Sequence, residues 1–513
     1  MRKRCLLPIL ALFFSVFIAG NLEAATYYID GSKGKDSNPG SVALPWKAIA
    51  KANSTLQPGD TVYLRGGTYT NEQIRPGNSG ASGNYITYQN YNSERVTLSG
   101  HDIPLYLYEN DYIKIDGFRM QNCYRFFTLA GGANYNIIQN CTFYNASAYF
   151  GSLFAARYVD PNTGERGDYI NIPNNYNQFL NNVYEDAPSR CGDTDPNRDC
   201  DTAPGDFFVI KCGSYNLIQG NTFGTTSHSA LYLAGKKTKY NVIRNNLFRN
   251  TYRRGLELAE FPFRNLVENN TFYDQGLNKK HSPMKGTRTG VPYNPPAIQC
   301  CNGTNANIFR LNVFDNNGTM LLIHGEHNLF YHNTANSQYR TVVGDGYDYK
   351  GYGDFKHNKF KNNIFANTQL LGFQTGETES YLYNWCTYTQ PGHLQSENVI
   401  IHNAFTGTIS RWRWQYSRDS FEDWEACTSE LYDNIWDVDP GFADASNRNF
   451  VLQSISQLID AGAWLTTITS STANGVSSFT IADAGYFYDG WGMPGETGDV
   501  IKTAGGKVTT IQS

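Results

Sequence analysis

The sequence predicts an all-β fold, a right-handed parallel β-helix, and three observations support this fold class. A short phrase of asparagine and aromatic residues recurs along the chain. Its closest copies place the aromatic residue 25 and 24 positions apart, and the composition, with 36 tyrosines, favours strands and turns. Repeats of this length indicate a solenoid, in which each coil packs on the next. We therefore expect one elongated domain within the 513 residues.

The recurring phrase alternates apolar and polar residues like a short strand and places asparagine where the chain must turn. Asparagine tolerates left-handed backbone angles, and its side chain bonds to nearby backbone in turns. Stacked asparagines on successive coils are also expected to bond each other in a ladder. The copies are NIIQNCTF (136–143), NQFLNNVY (177–184), NLIQGNTF (216–223), NVIRNNLF (241–248), NLVENNTF (265–272), NIFRLNVF (307–314), NKFKNNIF (358–365) and NVIIHNAF (398–405).

The two ends of the chain have features that a solenoid needs. One amphipathic helix, from about Trp46 to Thr55, precedes a turn at Pro58-Gly59 and is expected to cover the first coil. The β-helix domain is predicted to span 25–463. The remaining segment, 464–513, contains several glycine turns and is predicted to be a small β-rich tail.

The first residues, MRKRCLLPILALFFSVFIAGNLEA, have the pattern of a signal peptide. Basic residues precede an apolar run of the length that a signal core requires, so residues 1–24 are predicted to be removed. No other segment is long and apolar enough to span a bilayer. We expect a secreted or periplasmic protein without a membrane anchor once the signal is removed.

Charge and cysteine content narrow the choice of partner. The net charge is −4, and no basic footprint indicates a nucleic-acid partner.

Cys123 and Cys141 lie about one repeat apart, and Cys191 and Cys200 bracket a short polar loop. Both pairs are predicted disulfides in an oxidising compartment. A metal–thiolate site is disfavoured, because the paired CxxC spacing is missing.

Both ends and the recurring phrases resemble secreted bacterial β-helix proteins related to polysaccharide lyases. The resemblance covers TYYIDGSKGKDSNPGSVALPWKAIAKANSTLQPGDTVYLRGGTYT (26–70) and DPGFADASNRNFVLQSISQLIDAGA (439–463). It implies the β-helix fold and a polysaccharide substrate. We expect the polysaccharide to be acidic and the protein to be a monomer. It does not fix the reaction, because the same fold carries lyases, hydrolases and epimerases.

The inward leucines of two adjacent strands predict the register of a functional surface. Leu231 and Leu233 match Leu256 and Leu258 with a constant offset of 25. Outward side chains on successive coils then line up about 4.8 Å apart. The predicted set consists of the catalytic candidates Lys211, His228, Tyr232, Arg253, Arg254 and Glu257, and the substrate-binding candidates Asp206, Gln299 and His324.

These residue types suit β-elimination in a chain that contains uronic acids. That reaction needs a base for the proton beside the carboxylate and positive charge to neutralise the carboxylate. Arg253 and Arg254 suit the second task through bidentate hydrogen bonds. His228 is the predicted base, with Lys211 as the alternative, and Tyr232 would protonate the leaving oxygen.

The coil GDFFVIKCG (205–213) is similar to the coil of family-nine pectate lyases that supplies one calcium-binding aspartate. Asp206 would match that aspartate. Those lyases continue with further aspartates where this chain has Ser227-His228-Ser229 and Tyr232, and they place their catalytic lysine where this chain has Glu257. The resemblance therefore does not carry over their calcium site or their base.

Calcium is the one cofactor that the sequence leaves open, and no cofactor is assigned. The acidic loop EDAPSRCGDTDPNRDCDTAPGD (185–206) contains Asp193, Asp195, Asp199 and Asp201, and clustered oxygens suit Ca²⁺. The loop lacks the ordered spacing of an EF-hand. A solvated insertion that forms a wall of the groove is the favoured interpretation.

Two other functions remain open. A glycoside hydrolase needs two carboxyl groups roughly 5–10 Å apart, whereas strand geometry predicts about 14 Å between Asp206 and Glu257. The odd spacing of Glu257 and Glu260 also predicts different faces. A carbohydrate-binding protein without catalysis would use exposed rings, for which RWRWQYSRD (411–419) offers Trp412 and Trp414.

Overall fold

The computed structural model describes most of the chain, and all structural statements below refer to those residues. The described ranges are 23–146, 152–154, 172–185, 206–226, 228–251, 254–275, 296–338, 340–344, 356–368, 370–375, 398–406, 431–469, 480–503 and 505–511. The predicted signal peptide lies almost wholly outside them. Within these ranges, no helix is long and apolar enough to cross a membrane.

The architecture is a right-handed parallel β-helix built from three long parallel sheets, as predicted. Sheet A has 14 strands: Thr26–Ile29, Thr61–Leu64, Ile86–Asn90, Ile113–Asp116, Ile137–Gln139, Gln178–Leu180, Leu217–Gln219, Val242–Arg244, Leu266–Glu268, Ile308–Arg310, Leu329–Tyr331, Lys359–Lys361, Val399–Ile401 and Leu431–Tyr432. Sheet B has 13: Gly67–Thr70, Val96–Ser99, Phe118–Cys123, Thr142–Ala146, Val183–Glu185, Thr222–Phe223, Leu247–Arg249, Thr271–Tyr273, Val313–Asp315, Thr334–Asn336, Ile364–Ala366, Ala404–Phe405 and Ile435–Trp436. Sheet C has ten: Leu105–Tyr108, Phe127–Ala130, Ser152–Phe154, Phe208–Lys211, Ser229–Ala234, Arg254–Ala259, Pro296–Asn305, Thr319–Glu326, Arg340–Gly344 and Leu370–Thr375.

The core is a column of inward apolar side chains that repeats from coil to coil. Phe223 pairs with Phe248 and Phe248 with Phe272, which confirms the spacings of 25 and 24 residues. Their rings stack with centroids 4.8 and 4.5 Å apart and planes within 7° of each other. Each coil therefore buries its aromatic residue against the same residue of its neighbours, so the repeat itself sets the strand register.

The asparagines of the recurring phrase form two buried ladders, as expected. In one ladder, the Oδ1 atom of Asn270 accepts hydrogen bonds from the backbone N and the Nδ2 of Asn246, each at 2.9 Å. The Nδ2 of Asn270 donates to Asn312 on the next coil and to the carbonyl of Ile243. Each ladder thus satisfies turn backbone that would otherwise be buried without partners.

The N-terminal helix is shorter than predicted and spans Ile49–Asn53. Its residues Ile49 and Ala52 are buried in the same core cluster as the first strands. Trp46 lies before the helix and forms a β-bridge with Ile29. The helix begins after Ala48, which provides no side-chain oxygen to cap an earlier start.

The C-terminal segment contacts sheet B through Arg448, which binds Asp315 and lies over the ring of Tyr273, and it contacts sheet A further along the chain. It contains the antiparallel pairs Phe442–Asp444 with Asn449–Leu452 and Val500–Lys502 with Val508–Thr510, with 3-10 turns at Ala445–Asn447 and Ala484–Tyr486. Arg310 binds both carboxylate oxygens of Asp499 at 2.5 and 2.6 Å, and Arg244 binds Glu496 at 2.6 Å. These ion pairs fasten Glu496 and Asp499 to the outer side of sheet A.

The predicted Cys123–Cys141 disulfide is wrong, because Cys141 carries a free, buried thiol. Strand pairing places Cys123 beside Ala146, while Thr142 lies beside Arg119. The two cysteines are therefore offset by about 16 Å along adjacent strands, far beyond disulfide reach. A separation of 18 residues falls short of the 23-residue offset between these two strands. The predicted Cys191–Cys200 pair lies outside the described residues.

Cys141 is expected to resist iodoacetamide in the native protein at about pH 8. Burial raises the pKa of its thiol from 9.0 to about 12, so almost no thiolate is present. The same shift lowers the free energy of unfolding as the pH rises from about 9 towards about 12, because the unfolded thiol ionises first. Mass spectrometry before and after urea denaturation measures the labelling. Modification of native Cys141 would contradict the buried position.

Candidate functional site

The predicted register of sheet C is confirmed for the strands that carry Ser229, Tyr232, Arg254, Glu257 and Gln299. Tyr232 pairs with Glu257, and Glu257 pairs in turn with Gln299. Ser229 pairs with Arg254. The offset of 25 read from the leucines therefore holds, and it brings polar residues of four coils to one place.

A break in the two-residue alternation turns the start of each of these strands outward. Phe207 and Phe208, Ala230 and Leu231, and Ala297 and Ile298 are consecutive residues that all belong to the core. Two inward residues in a row reverse the alternation, so the residue before each pair faces outward. Asp206 reaches the outer side of sheet C in this way, and so does Arg254, which precedes the inward Gly255 and Leu256.

His228 is the centre of a hydrogen-bonded cluster. Its Nδ1 lies 2.7 Å from Oδ1 of Asp206, and its Nε2 lies 2.9 Å from a terminal nitrogen of Arg254. A guanidinium nitrogen only donates, so Nε2 must accept and Nδ1 must carry the proton that goes to Asp206. The cluster therefore fixes His228 as the neutral Nδ1–H tautomer. About 15% of this side chain is exposed.

Asp206 lies beneath His228 rather than on the surface. It is 1% exposed, and its Oδ1 also accepts the backbone N–H of Ser229 at 2.8 Å. Its Oδ2 atom is buried without a hydrogen-bond partner. At this depth the carboxylate cannot contact a sugar directly. Its geometry suits orienting His228, in place of the substrate-binding role predicted from the sequence.

Arg254 connects His228 to the next coil. Its Nε donates to the side-chain oxygen of Gln299, and one terminal nitrogen also lies 3.1 Å from Oε2 of Glu257. The side chain is about 10% exposed. Gln299 and Glu257 thus hold the guanidinium against Nε2 of His228. This arrangement places a positive charge beside the imidazole and engages the Nε2 lone pair of His228 in a hydrogen bond from the guanidinium.

The predicted distance of about 14 Å between the carboxylates of Asp206 and Glu257 is wrong. Their nearest oxygens lie 2.7 and 3.9 Å from the same Nδ1 of His228, which limits their separation to about 6.6 Å. The prediction used backbone positions, whereas Glu257 bends towards the strand start, where the hydroxyl of Ser229 donates to it at 2.6 Å. Ser229 was not among the site residues predicted from the sequence. The offset of 25 pairs Ser229 with the candidate Arg254, and this pairing could have identified it.

A second polar group surrounds Lys211 at the other end of the strands. The Lys211 ammonium lies 3.7 Å from Oε1 of Glu260 and 5.9 Å from the ring centroid of Tyr232. Glu260 adopts a left-handed backbone with φ of 60°, where strand alternation ends. The sequence pattern predicted that Glu257 and Glu260 lie on different faces of sheet C, because their spacing is odd. Instead, Glu260 lies near Lys211 on the outer side.

The remaining candidates lie either further along sheet C or outside the described residues. Gln299 pairs with Leu322, and His324 lies two residues further along that strand, where the register shifts between Cys300 and Thr304. Arg253 lies outside the described residues, as do Trp412 and Trp414. The acidic loop with Asp193, Asp195, Asp199 and Asp201 lies there as well.

The residues around Asp206 do not suit calcium. Ca²⁺ prefers six to eight oxygen ligands, mostly carboxylates and carbonyls. Here Asp206 is used by Ser229 and His228, and the guanidinium of Arg254 lies against the same imidazole. The imidazole of His228 and the positively charged guanidinium of Arg254 thus lie where a calcium site would need further carboxylates.

Glu326, at the end of its sheet C strand, and His327 and His357, on turns beside sheet A, each bring one potential ligand atom within 4.8 Å of the others. The two imidazoles stack with centroids 4.7 Å apart and planes 8° apart. Parallel stacked rings point their lone pairs along separate planes, so both cannot bind one ion without rotating. The stacking alone accounts for their proximity, as it does for tyrosines on earlier coils.

Gly255 is required for the position of Arg254, and Gly255→Ala is expected to displace it. An added Cβ would lie 2.8 Å from the ring of Phe272 and 3.0 Å from the carbonyl oxygen of Ala297. Overpacking of this kind costs about 1–3 kcal/mol of stability. Urea unfolding measures the cost. Gly235→Ala is not a suitable control, because the positive φ of Gly235 would strain alanine even without a packing conflict. Ala230→Gly, on the neighbouring strand, is the matched control. Unchanged stability and activity in Gly255→Ala would contradict the packing.

Comparison with known proteins supports the fold. Residues 27–182 match the family described as the Pel9A-like right-handed β-helix region. A PL6 family polysaccharide lyase from Pseudopedobacter saltans superposes with a TM-score of 0.51 at 15% identity, over 80% of this chain and 95% of that one. The pectate lyase Pel9A gives a TM-score of 0.38 at 17% identity, over 88% of this chain and 94% of that one.

One curated relative also matches over a short segment. The uncharacterized protein YwoF of Bacillus subtilis (strain 168) is 33% identical over 107 residues. The match covers 21% of this chain and 23% of YwoF. At 15% identity, the likeness to the Pseudopedobacter saltans structure is one of fold alone.

Proposed function

We propose that the protein is a secreted polysaccharide-degrading enzyme that cleaves a uronic-acid-containing chain by β-elimination on the outer side of sheet C. The observation that carries the proposal is the neutral His228, hydrogen-bonded to a buried aspartate on one side and to an arginine on the other. Base and positive charge are the two groups that this reaction needs within a few ångströms of each other.

In the proposed reaction, Arg254 binds the uronic carboxylate and His228 removes the proton from the adjacent carbon, C5. The electron pair of the C5–H bond forms the C4=C5 double bond, and the bond from C4 to the glycosidic oxygen breaks. The leaving oxygen takes a proton from an acid. Bidentate binding by the guanidinium stabilises the negative charge that develops on the carboxylate in the transition state.

His228 must lose its contact with Arg254 before it acts as a base. Nε2 accepts a hydrogen bond from Arg254, and a substrate carboxylate that attracts the guanidinium would free this lone pair. Asp206 keeps the proton on Nδ1, so Nε2 is the atom that becomes available. Substrate binding and base activation are thereby coupled through one side chain.

Tyr232 is the proposed acid, and Lys211 supports it. Tyr232 is partly exposed and lies beside Glu257 in the next strand. The ammonium of Lys211, near the Tyr232 ring, favours negative charge on the phenol oxygen as the proton leaves. Lys211 is paired with Glu260, and this argues for an electrostatic role rather than for the alternative role of base.

A glycoside hydrolase is the second candidate, because the carboxylates of Asp206 and Glu257 lie within the range of that mechanism. Burial counts against it. Asp206 is 1% exposed and Glu257 is 7% exposed and ion-paired with Arg254, so neither carboxyl is open to protonate a glycosidic oxygen. A purely carbohydrate-binding protein is the third candidate.

The test uses polygalacturonate, alginate and hyaluronate, each incubated with the protein. Elimination produces unsaturated ends that absorb ultraviolet light, and we expect this absorbance to rise with one of the three polymers. New reducing ends without absorbance would favour the hydrolase. Retention of a polymer with neither signal would favour the binding protein.

A further inference from the structure

We infer that Tyr106, Tyr108 and Arg75 form a distal subsite. It binds an acidic sugar of the polysaccharide substrate, several sugars away from the glycosidic bond that is cleaved. Tyr106 and Tyr108 alternate with the fully buried Leu105 and Leu107, so both rings face the outer side of sheet C. The inference rests on the proposed function for the identity of the ligand.

The two tyrosines form a flat aromatic surface. Their rings are parallel within 7°, with centroids 6.3 Å apart, and Tyr108 is 44% exposed. The ring of Tyr108 covers Gly131 on the next coil, where a Cβ would lie only 3.0 Å from it. The C–H face of a sugar ring packs favourably on such a surface, because the face of an aromatic ring is negatively polarised.

Arg75 places a positive charge over Tyr106, whereas the Glu109 carboxylate is hydrogen-bonded to the hydroxyl of Tyr108, so an acidic group is expected to bind on the Tyr106 side of the surface. The Arg75 guanidinium lies 5.0 Å from the ring centroid of Tyr106. The Arg75 residue is exposed, and in the described part of the chain it takes part in no ion pair. A uronic carboxylate placed beside the stacked sugar would accept hydrogen bonds from this guanidinium.

The strand register connects this surface to the cluster around His228. Tyr106 pairs with Thr128, and the row continues through 153 and 209 to Tyr232 and Glu257. Five strand steps separate Tyr106 from Glu257, which corresponds to about 24 Å. Thr128 and Val209, which lie between the two places, are 5% and 0% exposed, so a polysaccharide bound at both places passes over this part of the row without contacting it.

These tyrosines differ from the structural tyrosines of the same fold. Tyr112 and Tyr135 stack face to face between coils at 4.9 Å, and Tyr176 continues the column at 4.8 Å. The partners of Tyr106 and Tyr108 on the next coil are Thr128 and Ala130, which offer no ring. Ring-on-ring stacking between coils therefore does not account for this pair.

The test measures binding of a polymer and of its trimer by isothermal titration calorimetry. The variants are Tyr106→Ala/Tyr108→Ala and, as matched control, Tyr432→Ala, whose tyrosine is also 44% exposed but belongs to sheet A. The probes are polygalacturonate and alginate, each with its own trimer, which is too short to span both places. A thermal unfolding scan confirms that each variant is folded.

We expect the double variant to lose about tenfold or more in polymer affinity and to retain the trimer affinity, while Tyr432→Ala matches the parent. Equal loss for polymer and trimer, no loss at all, or no binding of either polymer by the parent would overturn the inference. Length-dependent binding without unsaturated products would leave the subsite standing and refute elimination. If unsaturated products form and the double variant binds polymer and trimer like the parent, elimination is supported and the subsite is refuted.

Discussion

The His228→Ala variant is expected to lose elimination activity by about two to four orders of magnitude, the range that a positioned general base contributes. The imidazole is the proposed base, and its Nε2 atom lies 2.9 Å from the guanidinium of Arg254. Removing it also leaves Asp206 as a buried carboxylate without its main partner. Initial rates of ultraviolet absorbance increase, at saturating and at low polymer concentration, measure the effect on kcat and kcat/KM.

His327→Ala is the matched control, because the side chain of His327 is 55% exposed on a turn beside sheet A. It should retain the activity of the parent. A second variant, His228→Gln, keeps a polar side chain and guards against simple unfolding of the cluster. If the folded His228→Gln protein works at the parent rate, His228 is not the base.

The Asn270→Ala variant is expected to lower the free energy of unfolding by at least about 3 kcal/mol, since each buried polar group left without a partner costs about 1–3 kcal/mol. Asn270 accepts two hydrogen bonds from Asn246 and donates to the carbonyl of Ile243 and to Asn312. Alanine removes these partners from polar groups on the two neighbouring coils at once, Asn246 and Ile243 on one side and Asn312 on the other. Urea denaturation followed by circular dichroism measures the change.

Asn269→Gly provides the comparison for this ladder. Asn269 is the preceding residue, exposed and with φ of 52°, and Gly220 occupies the same turn position on another coil. Glycine tolerates this backbone angle, so the substitution should cost well under 1 kcal/mol. Similar losses in both variants would mean that the ladder contributes no more than an ordinary turn.

The register of the fold was predictable from the sequence because buried asparagines and aromatics recur at every coil. The same repeat predicted that Tyr232, Glu257 and Gln299 stand side by side, and the strand pairing confirms it. Repetition makes long-range pairing a local property of the sequence, which few other folds allow.

Side-chain reach and departures from the repeat were not predictable in the same way. Glu257 leans along its strand towards Ser229, and backbone spacing alone cannot reveal this. Paired inward residues such as Ala230-Leu231 reverse the alternation, and a strict two-residue period misses them. The failed Cys123–Cys141 pair has a related cause, because similar spacing in sequence does not ensure the same position along adjacent strands.

The most direct test of the account is the mass balance of the cleavage reaction. A defined oligosaccharide of the best polymer is digested, and each pair of products is weighed by mass spectrometry. Elimination adds no water, so the two product masses should sum to the mass of the substrate, with the unsaturated unit at the new non-reducing end. Product pairs that together exceed the substrate by one water would contradict elimination at the cluster around His228.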